Sequence, residues 1–168
     1  MKLILTSFKK SLLIFLFLIL LSSFSSLSSS KHNGVVVTRH YLATEVGSNI
    51  LLDGGNAFDA SISVAFALAV VNPSAGNIGG GGFALLYDAN KKTIESIDYR
   101  ERAPKKAKED MFLDENGNVI KDLSTSSFLA SGIPGTVDGM FRIHKKYGSI
   151  PMKKLISPAI NLAEKGFV

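Results

Sequence analysis

No cysteine occurs among the 168 residues of the chain. Its absence excludes disulfide staples, thiolate metal ligands and a cysteine nucleophile together. A domain without disulfides must rely on packing, and a 46% hydrophobic content in a length suited to one ordinary domain supplies the material. Histidine is scarce as well. His32, His40 and His144 stand at no metal-ligand spacing, so each reads as a surface or capping residue, and no cofactor or metal is expected. No basic stripe with interleaved aromatics is present, which argues against nucleic acid as a partner, and the charged cluster "KKAKED" reads as a solvated loop. An apolar run of membrane-spanning length, roughly 20 residues, is also missing.

What is present begins with a targeting segment over residues 1–30. Lys2, Lys9 and Lys10 form a positive n-region, "SLLIFLFLILL" an unbroken apolar h-region, and "SSFSSLSSS" a small-residue c-region. Two readings stand, a secretion signal, which the short h-region favours, and an uncleaved N-terminal anchor; both place residues 31–168 outside the cytoplasmic membrane. Removing residues 1–30 takes away three lysines and no acid, so the net charge of +5 falls to +2. The basic balance is therefore largely a feature of export.

Along the rest of the chain, "GVVVTRH" has the β-branched character of a strand. "YLATEVGSNILLDGG" places Leu42, Val46, Ile50 and Leu51 near helical spacing, with Gly54 and Gly55 as the stop. "NAFDASISVAFALAVV" is apolar on nearly every face, which predicts a buried helix whose alanines admit a close neighbour. "FALLYD" and "TIESIDYRERAP" predict a hairpin stopped by Pro104. The turn-rich stretch through "DENGN" reads as loop. "SGIPGTVDGMFRIHKKYGS" predicts a helix opening near Pro134, closing at Gly148 and striped by Val137, Met140 and Phe141. "PMKKLIS" and "PAINLAEKG" then read as two short helices, each begun by proline, with Ser157 as a cap. "NLAEKGFV" ends on apolar residues with no solvated tail, as expected of a chain that belongs to a longer polypeptide.

The four glycines of "NPSAGNIGGGGFALLYD" satisfy the letter of the dinucleotide fingerprint in "GGGGFA". That fingerprint needs a strand before the glycines and a helix after them, so that a pyrophosphate meets a helix N-terminus. Here the predicted order is helix, then strand. Close approach of backbone to backbone or to a ligand is the better account of Gly79–Gly82.

Taken together, "GVVVTRHYLATEVGSNILLDGGNAFDASISVAFALAVVNPSAGNIGGGGFALLYD", "DYRERAP", "SGIPGTVDGMFRIHKKYGSIP" and "ISPAINLAEKGF" closely resemble the N-terminal part of γ-glutamyltranspeptidases. The resemblance runs from about Gly34 to Val168. It implies an α+β fold, the N-terminal portion of an Ntn-hydrolase αββα sandwich, made as one precursor that cleaves itself to free an N-terminal threonine on a small subunit. It also implies transfer or hydrolysis of γ-glutamyl groups, typically from glutathione, to amino acid, peptide or water acceptors, in a periplasmic or extracellular setting. In such an enzyme the threonine's own α-amine is the base that activates its hydroxyl.

The family's nucleophile motif lies beyond residue 168, and Thr38, Thr44, Thr93, Thr125 and Thr136 do not match it, so the missing C-terminal small subunit is an expected partner. One site residue carries over. "DYRERAP" matches the family's Arg-Glu-x-Ala-Pro motif, whose arginine binds the substrate α-carboxylate, and that arginine is Arg100. A guanidinium fork suits a planar carboxylate; without the resemblance, Arg100 would read as a strand-end arginine paired with Glu101. Arg102 departs from the usual uncharged residue and offers a competing cation. His40, Thr44, Asn56 and Asp59 also match family positions, where capping is the expected role, and the glycine run is expected in the buried heart of the sandwich. The resemblance leaves open a related acylase, and a non-catalytic exported remnant stands as the alternative.

Overall fold

In the computed structural model the described residues are 34–168, so the expected signal over residues 1–30 lies outside them. Helix α1 spans Tyr41–Leu52. The Leu42 N–H donates to Nδ1 of His40 at 3.3 Å, satisfying one of the donors that a helix N-terminus leaves free. Thr38 and Thr44 bond hydroxyl to hydroxyl at 2.8 Å beside it. At the other end Gly54 takes a φ of 91°, a conformation glycine adopts without strain, and the N–H groups of Asp53, Gly54 and Gly55 return to carbonyls of the last turn.

Helix α2, Ala57–Val71, is the centre of the packing. Asn56 Oδ1 accepts from the N–H groups of Phe58 and Asp59 at 2.8 and 2.9 Å, while Asp59 Oδ2 accepts from the Asn56 N–H at 3.1 Å. This reciprocal box satisfies three N–H donors at once. One side of α2 meets α1 through Ala67, Val71 and Ala43. Ala67 and Ala43 are fully buried, so the small side chains do let the two helices approach closely.

Strands β1, Phe83–Asp88, and β2, Thr93–Asp98, pair antiparallel with Phe83 opposite Asp98 and Asp88 opposite Thr93. Leu86 and Ile97 point into the core against Ile62 and Phe66 of α2. The other face carries Phe83, Leu85, Tyr87 and Ile94, which are between 59% and 76% exposed. Large apolar side chains in a contiguous open row mark a surface made to be covered.

β2 stops at Asp98, short of the expected Pro104, and the region 99–135 is mostly loop, with a short helix α3 at Leu123–Ser126 and a 3-10 turn at Phe128–Ala130. Helix α4, Thr136–Tyr147, follows, and α5, Met152–Lys165, completes the core with Leu155 and Ala159.

Four further expectations are corrected. Residues 34–38 form no strand, because a ladder needs a partner and none pairs with them among the described residues; they lie beside α1, with Val36 against Gly47. The two short helices of the C-terminal segment are one helix with Pro158 inside it. A proline there removes the N–H that would bond the Lys154 carbonyl. The Ser157 hydroxyl donates to that carbonyl at 3.0 Å instead, and Ser63 of α2 donates to the next one, Leu155, at 2.8 Å. Ser157 is thus a patch within a helix rather than a cap. On α4 the buried face is Thr136, Gly139, Met140 and Ile143, while Val137 and Phe141 are exposed. Finally, the glycine run is exposed to half-exposed rather than buried.

Asp59 does more than cap. Its fully buried carboxylate also accepts from the Ser149 N–H at 3.0 Å, the Ile150 N–H at 3.3 Å and the Ser149 hydroxyl. Burial alone would raise its pKa, but the bonds from the Ser149 hydroxyl and from the Asn56, Ser149 and Ile150 N–H groups outweigh that and hold it below the ordinary aspartate value. A carboxyl lowered on folding adds stability above its unfolded pKa, near 4, that is lost as pH falls through the folded value. Asp59→Ala should therefore cost about 2–4 kcal/mol in chemical unfolding at neutral pH, and Asp59→Asn should flatten the loss of stability below about pH 4. Ser157→Ala, which leaves the Lys154 carbonyl without its donor, should cost about 1 kcal/mol in the same assay.

Candidate substrate-anchoring site

Beyond Asp98 the β2 strand runs on by one residue and then changes partner. Tyr99 exchanges backbone bonds with Gly82, donating at 3.0 Å and accepting at 3.4 Å. Three residues later Arg102 exchanges bonds of 3.2 and 2.8 Å with Ile133. Arg100 lies between these pairings, and its own N–H donates to Asp98 Oδ1 at 2.9 Å. The backbone carrying Arg100 is therefore tied on both sides, while its side chain is 69% exposed.

Glycine allows the first of those pairings. A Cβ on Gly81 would come within 2.6 Å of the Tyr99 carbonyl oxygen and 2.7 Å of the Glu101 nitrogen. The Gly80 carbonyl in turn accepts from the N–H groups of Gly135 at 2.9 Å and Thr136 at 3.1 Å, joining the glycine run to the start of α4. Close backbone packing is thus what the glycines do here, and the N–H groups of Gly135 and Thr136 at the start of α4 are taken up by the Gly80 carbonyl rather than by a phosphate.

Two clefts flank Arg100. One, of about 490 Å³, is lined by Arg100, Arg102, Pro104, Phe112 and Gly132 among others. The other, of about 250 Å³, lies between Arg100, Arg102, Pro134, Asp138 and Arg142. Arg142 reaches in from α4, donating to the Asp98 carbonyl at 3.2 Å and lying 3.9 Å from Asp138. A third groove, lined by Val35, Val37, Leu51 and Val64 among others, has no ionisable side chain.

The Glu101 pairing that Arg100 would make as an ordinary surface residue exists only at 4.0 Å, with both side chains open to solvent. Such a contact is worth little and leaves the guanidinium available to a carboxylate ligand. Arg102 lines both clefts beside it, so the second cation shares the same space. Tyr99 packs behind, and burial raises its phenol above the ordinary tyrosine value. The threonines do not converge on this site: Thr38 and Thr44 bond each other, and Thr136 is buried at the start of α4. His40 and Asn56 cap their helices, as expected. The sequence reading missed the role of Ile133, since "SGIPG" reads as a helix opening and nothing in it marks the backbone pairing with Arg102.

Comparison with known proteins bears on the whole arrangement. The chain is 54% identical over 137 residues to the glutathione hydrolase proenzyme of Pseudomonas sp. (strain A14), covering 81% of this chain and 24% of that protein. It is 50% identical over 135 residues to the glutathione hydrolase proenzyme of Escherichia coli (strain K12), covering 80% and 23%. The crystal structure of Helicobacter pylori gamma-glutamyltranspeptidase superposes with a TM-score of 0.77 at 52% identity, over 80% of this chain and 38% of that one. The chain thus spans about a quarter of the length of these curated relatives, and its mixed helix-and-strand architecture is a portion of the same Ntn-hydrolase fold. With the sequence pattern of the gamma-glutamyltranspeptidase family matched over residues 43–168, the chain belongs to that family.

Proposed function

We propose that this chain is the N-terminal part of the large subunit of a γ-glutamyltransferase and glutathione hydrolase, and that Arg100 anchors the substrate's α-carboxylate. One observation carries the reading. The family's Arg-Glu-x-Ala-Pro arginine stands on backbone tied from both sides, with its guanidinium exposed between two clefts. Fixed backbone with a free charged end is what positioning requires, because holding the α-carboxylate sets the distance from the γ-carbonyl to its attacker.

In this reading the attacker is the freed N-terminal threonine of the small subunit, outside this chain. Its hydroxyl adds to the γ-carbonyl, its α-amine takes the hydroxyl proton, and the amine half of the donor leaves carrying a proton. Water or an amino acid then takes the γ-glutamyl group from the threonine. The open apolar row Phe83, Leu85, Tyr87 and Ile94 supports a chain that works inside a larger fold, since such a face calls for cover. Export to the periplasm or beyond, by the signal over residues 1–30, belongs to the same proposal; among the described residues no helix is long and apolar enough to cross a membrane.

The test is Arg100→Lys in the full-length protein. Lysine keeps the charge but loses the bidentate fork, and donor kcat/KM should fall by about 2–4 kcal/mol of transition-state stabilisation. Donor kinetics unchanged from the parent protein would overturn the assignment.

A further inference from the structure

Glycines from two distant segments meet around the two residues that carry the Arg100 guanidinium. Gly81 lies against the backbone of Tyr99, Arg100 and Glu101; a Cβ there would stand 2.6 Å from the Tyr99 carbonyl oxygen and 2.9 Å from the Arg100 carbonyl carbon. Gly135, just before α4, presses on the same Tyr99 carbonyl from its own segment, and a Cβ there would also come within 2.7 Å of the Tyr99 carbonyl carbon and 3.3 Å of the Arg100 oxygen. Gly139, one turn further and buried, takes the Tyr99 side chain, and a Cβ would lie 2.7 Å from that residue's Cβ. Contacts below 3 Å to backbone have no soft atom to yield, so any side chain at Gly81 or Gly135 must displace the peptide of Tyr99 or Arg100.

The two segments are themselves bonded, Gly80 carbonyl to Gly135 and Thr136 N–H, so they form one cradle rather than two independent contacts. Local backbone demand does not explain these glycines, because a positive φ is taken by Gly54, Gly117 and Gly166 and by none of the cradle residues. What they share is Tyr99: Gly81 and Gly135 meet the peptide that joins it to Arg100, and Gly139 meets its side chain.

Resting on the reading of Arg100 as the carboxylate anchor, we infer that Gly81, Gly135 and Gly139 are positioning residues for it. They set the place of the guanidinium by excluding side chains from around its backbone, and so they determine selectivity for donors that bear an α-carboxylate. They touch no substrate themselves.

The experiment uses full-length protein that has matured into subunits, assayed on γ-glutamyl-p-nitroanilide and on 4-aminobutyryl-p-nitroanilide, the same donor without its α-carboxylate. Gly81→Ala and Gly139→Ala should raise KM for the first donor about tenfold with kcat changed far less, and should shrink the preference for the first donor over the second by a similar factor. Gly82→Ala, whose Cβ would meet only the Tyr99 ring at 3.1–3.3 Å, should give a smaller shift in the same direction, and it reads the effect if the harsher variants fail to mature. Gly76→Ala, with only the Leu68 Cβ at 3.7 Å, should match the parent protein. Equal losses on both donors, or unchanged preference in mature Gly82→Ala and Gly81→Ala, would overturn the inference. Arg100→Ala separates it from the reading beneath: if that variant keeps the full preference, the anchor assignment fails, whereas if it loses the preference and the glycine variants keep it, only the cradle fails.

Discussion

A buried carboxylate with a complete set of donors is the constraint on which the rest of the arrangement depends. Asp59 sits in the first turn of α2 with no solvent exposure, and a charge in that position is tolerable only when hydrogen bonds replace its water. Its donors come from two places, the N-terminus of α2 itself and the turn at Ser149–Ile150 between α4 and α5. Satisfying one side chain therefore fixes two helices relative to a third. Asn56 repeats the tie, donating from its amide to the Tyr147 carbonyl at 2.8 Å. The positive end of the α2 dipole favours the anion at the same spot. A neutral residue could cap the helix, but it would not gather three donors from a distant turn.

That tie reaches the surroundings of Arg100 through α4. Once Tyr147 and Ser149 are held against α2, the start of α4 is held against Tyr99, and the chain beyond β2 has little room to move. Glu95 on β2 adds a second attachment, accepting from the Lys146 ammonium and the Tyr147 phenol, which together hold its carboxyl below the usual glutamate value. This pair is solvent-facing, so its role is to orient rather than to stabilise. The glycines work in the opposite sense. Each weakens its segment by up to about 1 kcal/mol through extra unfolded-state freedom, a cost that makes sense only where a side chain would collide with the backbone of Arg100.

How much of this the sequence discloses follows from how local each cause is. The caps at His40 and Asn56, the hairpin of β1 and β2 and the end of α4 at Gly148 rest on neighbouring residues, and reading the chain finds them. Pro158 misleads because its penalty is relieved by side chains rather than by backbone: the Ser157 hydroxyl bonds the Lys154 carbonyl that the proline leaves open, and Ser63 of another helix holds the next carbonyl, Leu155. The buried face of α4 misleads for a similar reason, since Gly139 faces inward to receive Tyr99 and periodicity gives a glycine no weight. Arg100 is the extreme case. Exposed and near Glu101, it has no physical mark in sequence that separates it from a solvated arginine; only the motif around it does, and only the two-sided backbone pairing gives that motif a physical reason.

The hairpin shows why such a site needs more chain than this. Two strands by themselves are marginal in water, and β1–β2 gains its stability from Leu86 and Ile97 packed on α2. Yet the opposite face is as apolar as the covered one, with Phe83, Leu85, Tyr87 and Ile94 in alternating register. A strand pair apolar on both faces belongs between two layers, the position that an αββα Ntn-hydrolase fold gives its sheets. Arg100 lies just past the end of β2, where the pairing passes from β1 to the segment before α4. At such a change of partner the backbone stays bonded while the side chain is released from the sheet, so an arginine there can be rigidly rooted and still present its charge to a ligand.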